Sequence, residues 1–243
     1  MIFLFRLIIV VLLGGLISIC GIFFCLFNPR NSKNVARFAH LFGAVLNPFL
    51  GVKIIIRENK KIQGLTSCIY IANHQDNFDV IFAGKIVQPK TVTVGKKSLV
   101  WIPLFGQLYW LAGNILIDRE NKAKARETIE FVVKQIKQRK VSIWMFPEGT
   151  RSKGRGLLPF KSGAFRTAIA AGVPIVPICV SNTSKISLNR FKNGHIIVEM
   201  LDPIDTSSMN KTDAKELMIH CHNLMLDKIN QLNSEVSKLN LSK

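Results

Sequence analysis

The chain has 243 residues and is 48% hydrophobic, which allows one domain of ordinary size, or one with a short appendage, and excludes intrinsic disorder. Lys and Arg number 33 against 15 Asp and Glu, a net charge of +18, so the expected partner is anionic: nucleic acid, an anionic lipid surface, or acidic and phosphorylated substrates. A mean hydropathy of +0.25 is high for so basic a chain and favours the membrane surface over nucleic acid.

Residues 7–27 follow Arg6 as 21 consecutive residues without a charge. At ~1.5 Å per residue they reach ~30 Å, about one hydrocarbon core. A cleaved signal would have a shorter apolar region and a small-residue cleavage site. The run Leu16-Ile17-Ser18-Ile19-Cys20 has a lipoprotein flavour, but Ile19 is too large for that processing. The segment is therefore expected to be a retained membrane helix. Pro29-Arg30 ends it, and Lys33 and Arg37 follow. A second apolar stretch, 35–56, is interrupted by Asn47-Pro48. A hairpin within one leaflet and a span followed by an interfacial helix both fit. The basic residues after the first run favour a cytoplasmic domain by the positive-inside rule.

Beyond it, short β-branched runs read as strands at 52–56, 67–72, 91–94, 114–117, 141–146, 175–180 and 196–201. Ile129, Val132, Val133 and Ile136 have the spacing of an amphipathic helix, with basic residues such as Lys134 and Lys137 opposite. Residues 164–171 read as an Ala-rich helix closed by Gly172 and Pro174. Leu217, Cys221, Leu224 and Met225 mark a last helix with Thr212 as its N-cap, and the tail after about Leu232 reads as loosely attached. Alternating strands and helices predict an α/β layer fold with a largely buried sheet. The five cysteines are odd in number and form no CxxC pair, which predicts free buried thiols in a reducing compartment and no zinc site.

Four segments carry candidate chemistry. The first is Asn73-His74-Gln75-Asp76-Asn77-Phe78-Asp79, after a predicted strand. His74 and Asp79 are five apart, about 140° on an ideal helix, so they meet only if a turn intervenes. A carboxylate on one imidazole nitrogen fixes the tautomer and raises the basicity of the other, giving a general base without a serine. A polar loop with a capping Asp is the plainer reading.

The second is Phe146-Pro147-Glu148-Gly149-Thr150-Arg151, again after a strand, where α/β folds place ligands. Arg151 suits a phosphate through two parallel N–H donors, and Gly149 allows close backbone approach. The third runs from Gly113 to Arg119 and supplies a further Arg. The fourth, 173–178, has Pro174 and Pro177 in an apolar strand, which predicts an edge or a bulge. Gly95-Lys96-Lys97-Ser98 adds cations before Trp101-Ile102-Pro103-Leu104-Phe105, an apolar stretch suited to a membrane interface.

Taken in this order, His74-x4-Asp79, Gly113 to Arg119, Glu148 to Arg151 and 173–178 resemble the four blocks of the glycerolipid acyltransferase family, over roughly residues 65–185. The departures are Leu116, where many members have Phe, and Ser98, where many have Glu. The resemblance implies an α/β fold with a mixed, largely parallel sheet flanked by helices at 51–243, after a membrane-embedded helix or hairpin at 1–50. It implies acyl transfer from a fatty acyl thioester, on acyl carrier protein or coenzyme A, to the sn-2 hydroxyl of lysophosphatidic acid, giving phosphatidic acid. His74 would be the base and Asp79 its orienting partner. Arg119 and Arg151 would hold the acceptor phosphate, with Lys96 a weaker candidate and Glu148, Gly149 and Thr150 completing the substrate site. No metal or organic cofactor is called for. The place implied is the bacterial inner membrane, with anionic lipid as a further partner. A different lysophospholipid or glycerol 3-phosphate as acceptor stays open. A membrane-tethered nucleic-acid-binding protein is the rival of another class, although no stacking module or nucleic-acid motif is present and no nucleic-acid partner is expected.

Overall fold

The computed structural model describes residues 2–118 and 125–241. By internal contacts the chain divides into two units. One comprises Met1–Lys53, Phe78–Lys122 and Lys185–Gly194; the other comprises Ile54–Asn77, Ala123–Ser184 and His195–Lys243.

The first unit opens with α1 (Ile2–Leu26), long and apolar enough to cross a membrane, with only 17% of its most apolar window buried. It also holds α2 (Ser32–Leu50), α3 (Asp79–Gly84), β3 (Thr91–Lys96), α4 (Phe105–Leu111) and β4 (Ile115–Ile117). The break expected at Asn47-Pro48 does not occur, because α2 runs through Pro48 to a Gly51 cap. Pro48 sits in the last turn, and its carbonyl accepts the Gly51 N–H at 3.2 Å. Gly51 itself has φ +62°, a left-handed conformation that glycine adopts without penalty.

Three links fix α1. Near its start, Arg6 is buried, donates to the carbonyl of Leu188 at 3.2 Å and to that of Arg190, and lies over the Phe191 ring. Near its end, an added Cβ on Gly21 would come within 2.7 Å of Leu108 and 3.0 Å of Phe38. Strands β3 and β4 pair in parallel, Val94 opposite Ile115. Asn114 Oδ1 accepts from the Thr93 N–H at 2.8 Å, and Asn114 Nδ2 donates to the Tyr109 carbonyl at 2.9 Å, which pins the start of β4.

The second unit is built on β1 (Lys53–Arg57, its first residue in the other unit), β2 (Ile69–Ala72), β5 (Ser142–Met145), β6 (Ile175–Val180) and β7 (His195–Met200), in the order β1-β7-β6-β2-β5. Strand β2 is parallel to β5 and β6, and β6 is antiparallel to β7. The sheet is thus mixed and largely parallel, as expected. All seven predicted strands are present, each end within two residues of its forecast. Helices α5 (Ala125–Arg139), α6 (Gly163–Ala171) and α7 (Ala214–Leu241) complete the unit.

Three expectations need correction here. Strand β6 is not an edge: it lies between β7 and β2 with all six residues buried. Pro177 does coincide with a bulge, the other outcome expected. Ile178 pairs with Met200 and Ile175 with Ile204, three steps along β6 against four along its partner. Pro177 falls inside that interval, so its missing N–H interrupts no regular ladder.

Secondly, Thr212 does not cap α7. The helix starts at Ala214, and the Thr212 hydroxyl bonds Asn210 Oδ1 instead. Thirdly, the tail is not loose. Buried Leu217, Cys221, Met225, Ile229 and Leu232 form one helical stripe, and the helix runs on from there to Leu241. Asn233 then accepts from the Asn182 N–H at 2.7 Å, and Glu235 pairs with Arg57. The cysteines are all free; four are buried, but Cys20 is exposed on α1.

Candidate active site

Strand β2 ends at Ala72, and the next residues are locked from two sides of the second unit. Asn73 acts as a surrogate strand residue: its Nδ2 donates to the Val180 carbonyl at 2.9 Å and its Oδ1 accepts the Val180 N–H at 2.8 Å. Gln75 repeats the device, donating to the Ser181 carbonyl at 2.9 Å and accepting the Thr183 N–H at 3.0 Å. Thr183 in turn donates to Asp76 Oδ2 at 2.7 Å. The loop is thereby stitched to the end of β6.

From the other side comes the loop after β5. The His74 ring stacks on Phe146, centroids 4.0 Å apart and planes 15° from parallel. The His74 N–H donates to Glu148 Oε1 at 2.6 Å, and its carbonyl accepts the Ser152 N–H at 2.8 Å. Glu148 is 3% exposed, and its Oε2 accepts the Leu158 N–H at 2.9 Å. Both carboxylate oxygens of Glu148 therefore hold backbone. An imidazole whose backbone and ring face are fixed in this way has the placement that a general base would need, since in proton transfer geometry comes before basicity.

Gly149 follows in a left-handed conformation, φ +71°. Lys161 packs over it: an added Cβ would meet the Lys161 Nζ at 2.9 Å. Thr150 and Arg151 are exposed just beyond. Arg151 and Lys161 are cations of one loop with no carboxylate partner among the described residues. An anion would be held there by charge-assisted hydrogen bonds.

The Acyltransferase family model matches residues 53–181 of this chain. Similarity extends further. A protein named 1-acyl-sn-glycerol-3-phosphate acyltransferase from Salmonella typhimurium is 58% identical over 98% of this chain and 97% of its own length. The Escherichia coli K12 protein of that name has the same identity and coverage. The Haemophilus influenzae one is 47% identical over 98% of this chain and 99% of its own length. The chain belongs to the acyltransferase family. Its fold also matches the crystal structure of the 1-acyl-sn-glycerophosphate acyltransferase from Thermotoga maritima, at a TM-score of 0.72 and 23% identity, covering 95% of this chain and 94% of that one.

Two other site residues expected of this acyltransferase, Asp79 and Lys96, belong to the first unit. Asp79 is the first residue of α3 and is 5% exposed. Two glycines seat that short helix on α2: a Cβ on Gly84 would lie 2.3 Å from the Ala39 carbonyl oxygen, and one on Gly43 would lie 3.0 Å from that of Ile81. Lys96 ends β3 and is exposed. Arg119 lies outside the described residues. The sequence reading passed over Asn73, Gln75, Phe146, Lys161 and Thr183. The first three lie inside quoted motifs, where their polar and aromatic character was the available signal. Lys161 and Thr183 carry no sequence signal, because a loop return and a strand end bring them to this place.

Proposed function

We propose that this acyltransferase moves a fatty acyl group from a thioester, on acyl carrier protein or coenzyme A, to the sn-2 hydroxyl of 1-acyl-glycerol 3-phosphate, forming phosphatidic acid. The observation that carries the acceptor is the full-length identity of 58% to enzymes named for that acceptor. In this reading His74 takes the sn-2 hydroxyl proton as the oxygen attacks the thioester carbonyl. The C–S bond then breaks, and the departing sulfur takes the proton back from His74. Asp79 orients the imidazole and stabilises its charged form. Arg151, Arg119 and Lys161 hold the acceptor phosphate, with Lys96 contributing charge. Gly149 and Thr150 bring the backbone close to the glycerol. Glu148 acts as a positioning residue for His74. No acyl-enzyme is needed, so the cysteines have no chemical role.

The same proposal places residues 1–50 in the bacterial inner membrane and the domain 51–243 on its cytoplasmic side. The length and exposure of α1 support it, as do the basic residues that follow. The deciding experiment is acyl transfer to radiolabelled lysophosphatidate in membranes, wild type beside His74→Ala, with glycerol 3-phosphate and other lysophospholipids as rival acceptors. Phosphatidate from wild type, with a drop of about 10²–10⁴-fold in the variant, supports both acceptor and base. Equal product from both sinks the mechanism. Product only with another acceptor sinks the substrate.

A further inference from the structure

The charge is not spread evenly over the two units. Among the described residues the first carries 12 Lys and Arg against two Asp and Glu, a net +10 of the chain's +18. None of those acids precedes Asp79, and the whole sequence has no Asp or Glu before Glu58. Lys33 and Arg37 therefore have no carboxylate on α1 or α2.

Beside that turn is a cleft of about 410 Å³, within the size range of small-molecule sites. It has two kinds of wall. Phe24 and Phe27, at the end of apolar α1, form one; Phe27 is 90% exposed. Asn31, Lys33, Asn34 and Arg37, in the first turns of α2, form the other. The polar wall is pre-set. Asn34 is 1% exposed, and its Nδ2 donates to the Asn28 carbonyl at 3.3 Å while its Oδ1 accepts from Arg37 at 3.2 Å. The Arg37 guanidinium lies 4.8 Å over the Phe24 ring, held by cation–π attraction. Arg37 stands at the junction of the two walls, its fork suited to phosphate. Arg30, in the turn itself, lies over Trp110, and Trp101 of the same unit is 81% exposed, aromatics of the kind that settle at head-group level.

We propose that this cleft binds the phosphate of an anionic phospholipid head group, with Arg37 and Lys33 on the phosphate and Phe24 and Phe27 along the first carbons of its chains. The site is separate from the acyl-transfer centre and uses none of its residues. It rests on α1 entering the bilayer, which supplies the lipid at the level of the turn.

The test is flotation of the full chain with vesicles of phosphatidylcholine alone, and with phosphatidylglycerol added. Wild type is expected to bind both and to prefer the anionic vesicles. Lys33→Gln with Arg37→Gln should lower that preference by about 30-fold, from about fivefold per cation near the surface, while binding to phosphatidylcholine stays at the wild-type level and shows the protein folded. Arg37→Lys keeps the charge but loses the fork and the ring contact, and should still lose preference several-fold. Lys90→Gln with Lys192→Gln removes the same charge from the same unit and should lose much less. An unchanged preference in Arg37→Lys, or an equal loss in the Lys90 and Lys192 pair, would mean diffuse attraction and would overturn the site. Release from anionic vesicles by millimolar inorganic phosphate at constant ionic strength would show a free-phosphate site and would also overturn it. Wild type that fails to bind phosphatidylcholine vesicles would refute the bilayer reading of α1 and this proposal with it, whatever its acyl-transfer activity.

Discussion

The backbone N–H of His74 donates to Glu148 Oε1 at 2.6 Å. This bond ties the loop after β2 to the loop after β5, and the second carboxylate oxygen is taken by Leu158. An amide at 148 can accept through only one oxygen and turns its NH2 toward a second donor. Glu148→Gln should therefore displace His74, and a shift near 1 Å costs about 10²-fold in rate. The expected result is a fall of that size in kcat with the KM for lysophosphatidate nearly unchanged, plus about 1–3 kcal/mol of lost stability. A carboxylate that bound the glycerol instead would raise KM, and steady-state kinetics on the two variants at 148 and 151 separate the cases. Arg151→Ala is the counterpart, expected to act mainly on KM.

Asp79 begins α3, and α3 sits on α2 through Gly43 and Gly84. With 2.3 Å between a Cβ at 84 and the Ala39 carbonyl oxygen, alanine there forces backbone apart. Gly84→Ala should cost about 1–3 kcal/mol as an overpacked contact. It should also lower kcat by moving Asp79, although the substituted atom bears no reacting group. Asp79→Asn removes the carboxylate with α3 in place and should lower kcat by about 10²–10⁴-fold. Full turnover in a folded Asp79→Asn protein would remove Asp79 from the mechanism.

These placements show what the sequence could reveal. Strands such as β2 and β6 were legible because their β-branched runs are buried along their whole length, and the buried stripe of α5 because it repeats at helical spacing. The His74, Glu148 and Arg151 motifs were legible as residue types. Their mutual placement was not: nothing in Glu148-Gly149-Thr150-Arg151 says that the glutamate points back to a backbone N–H 74 positions earlier. The same limit explains α7. Its tail looks loose in the sequence because Glu235 and Asn233 gain their anchors only from Arg57 and Asn182. Pro177 misled in part because a proline favours an edge or a bulge, and only the register change between Ile175 and Ile178 decides for the bulge.

Burial pushes the Cys68 thiol up to about 11, and those of Cys179 and Cys221 to about 12. At neutral pH almost none of each is thiolate, the reactive form. Acyl transfer should therefore survive N-ethylmaleimide at pH 7, and mass spectrometry should show these three residues unmodified until the protein is unfolded. Rapid inactivation traced to one of them would bring a cysteine back into the chemistry.

The last prediction concerns acid stability in the second unit. Glu199 on β7 accepts from Arg57 at 3.1 Å and from Lys228 at 2.9 Å, with its side chain 16% exposed. Burial disfavours its charge, but the hydrogen bonds from Lys228 and Arg57 outweigh burial and hold its carboxyl below the ordinary value of 4.5. A carboxylate with a depressed folded-state value stabilises the fold above its unfolded value, and that contribution is lost as pH falls through the folded one. Glu199→Gln should thus cost about 1–3 kcal/mol near neutral pH. Thermal unfolding of wild type and variant should differ most at neutral pH, and the gap should start to close as pH drops below 4.5. A gap that stays constant into acid would mean that Glu199 acts through packing and not through its charge.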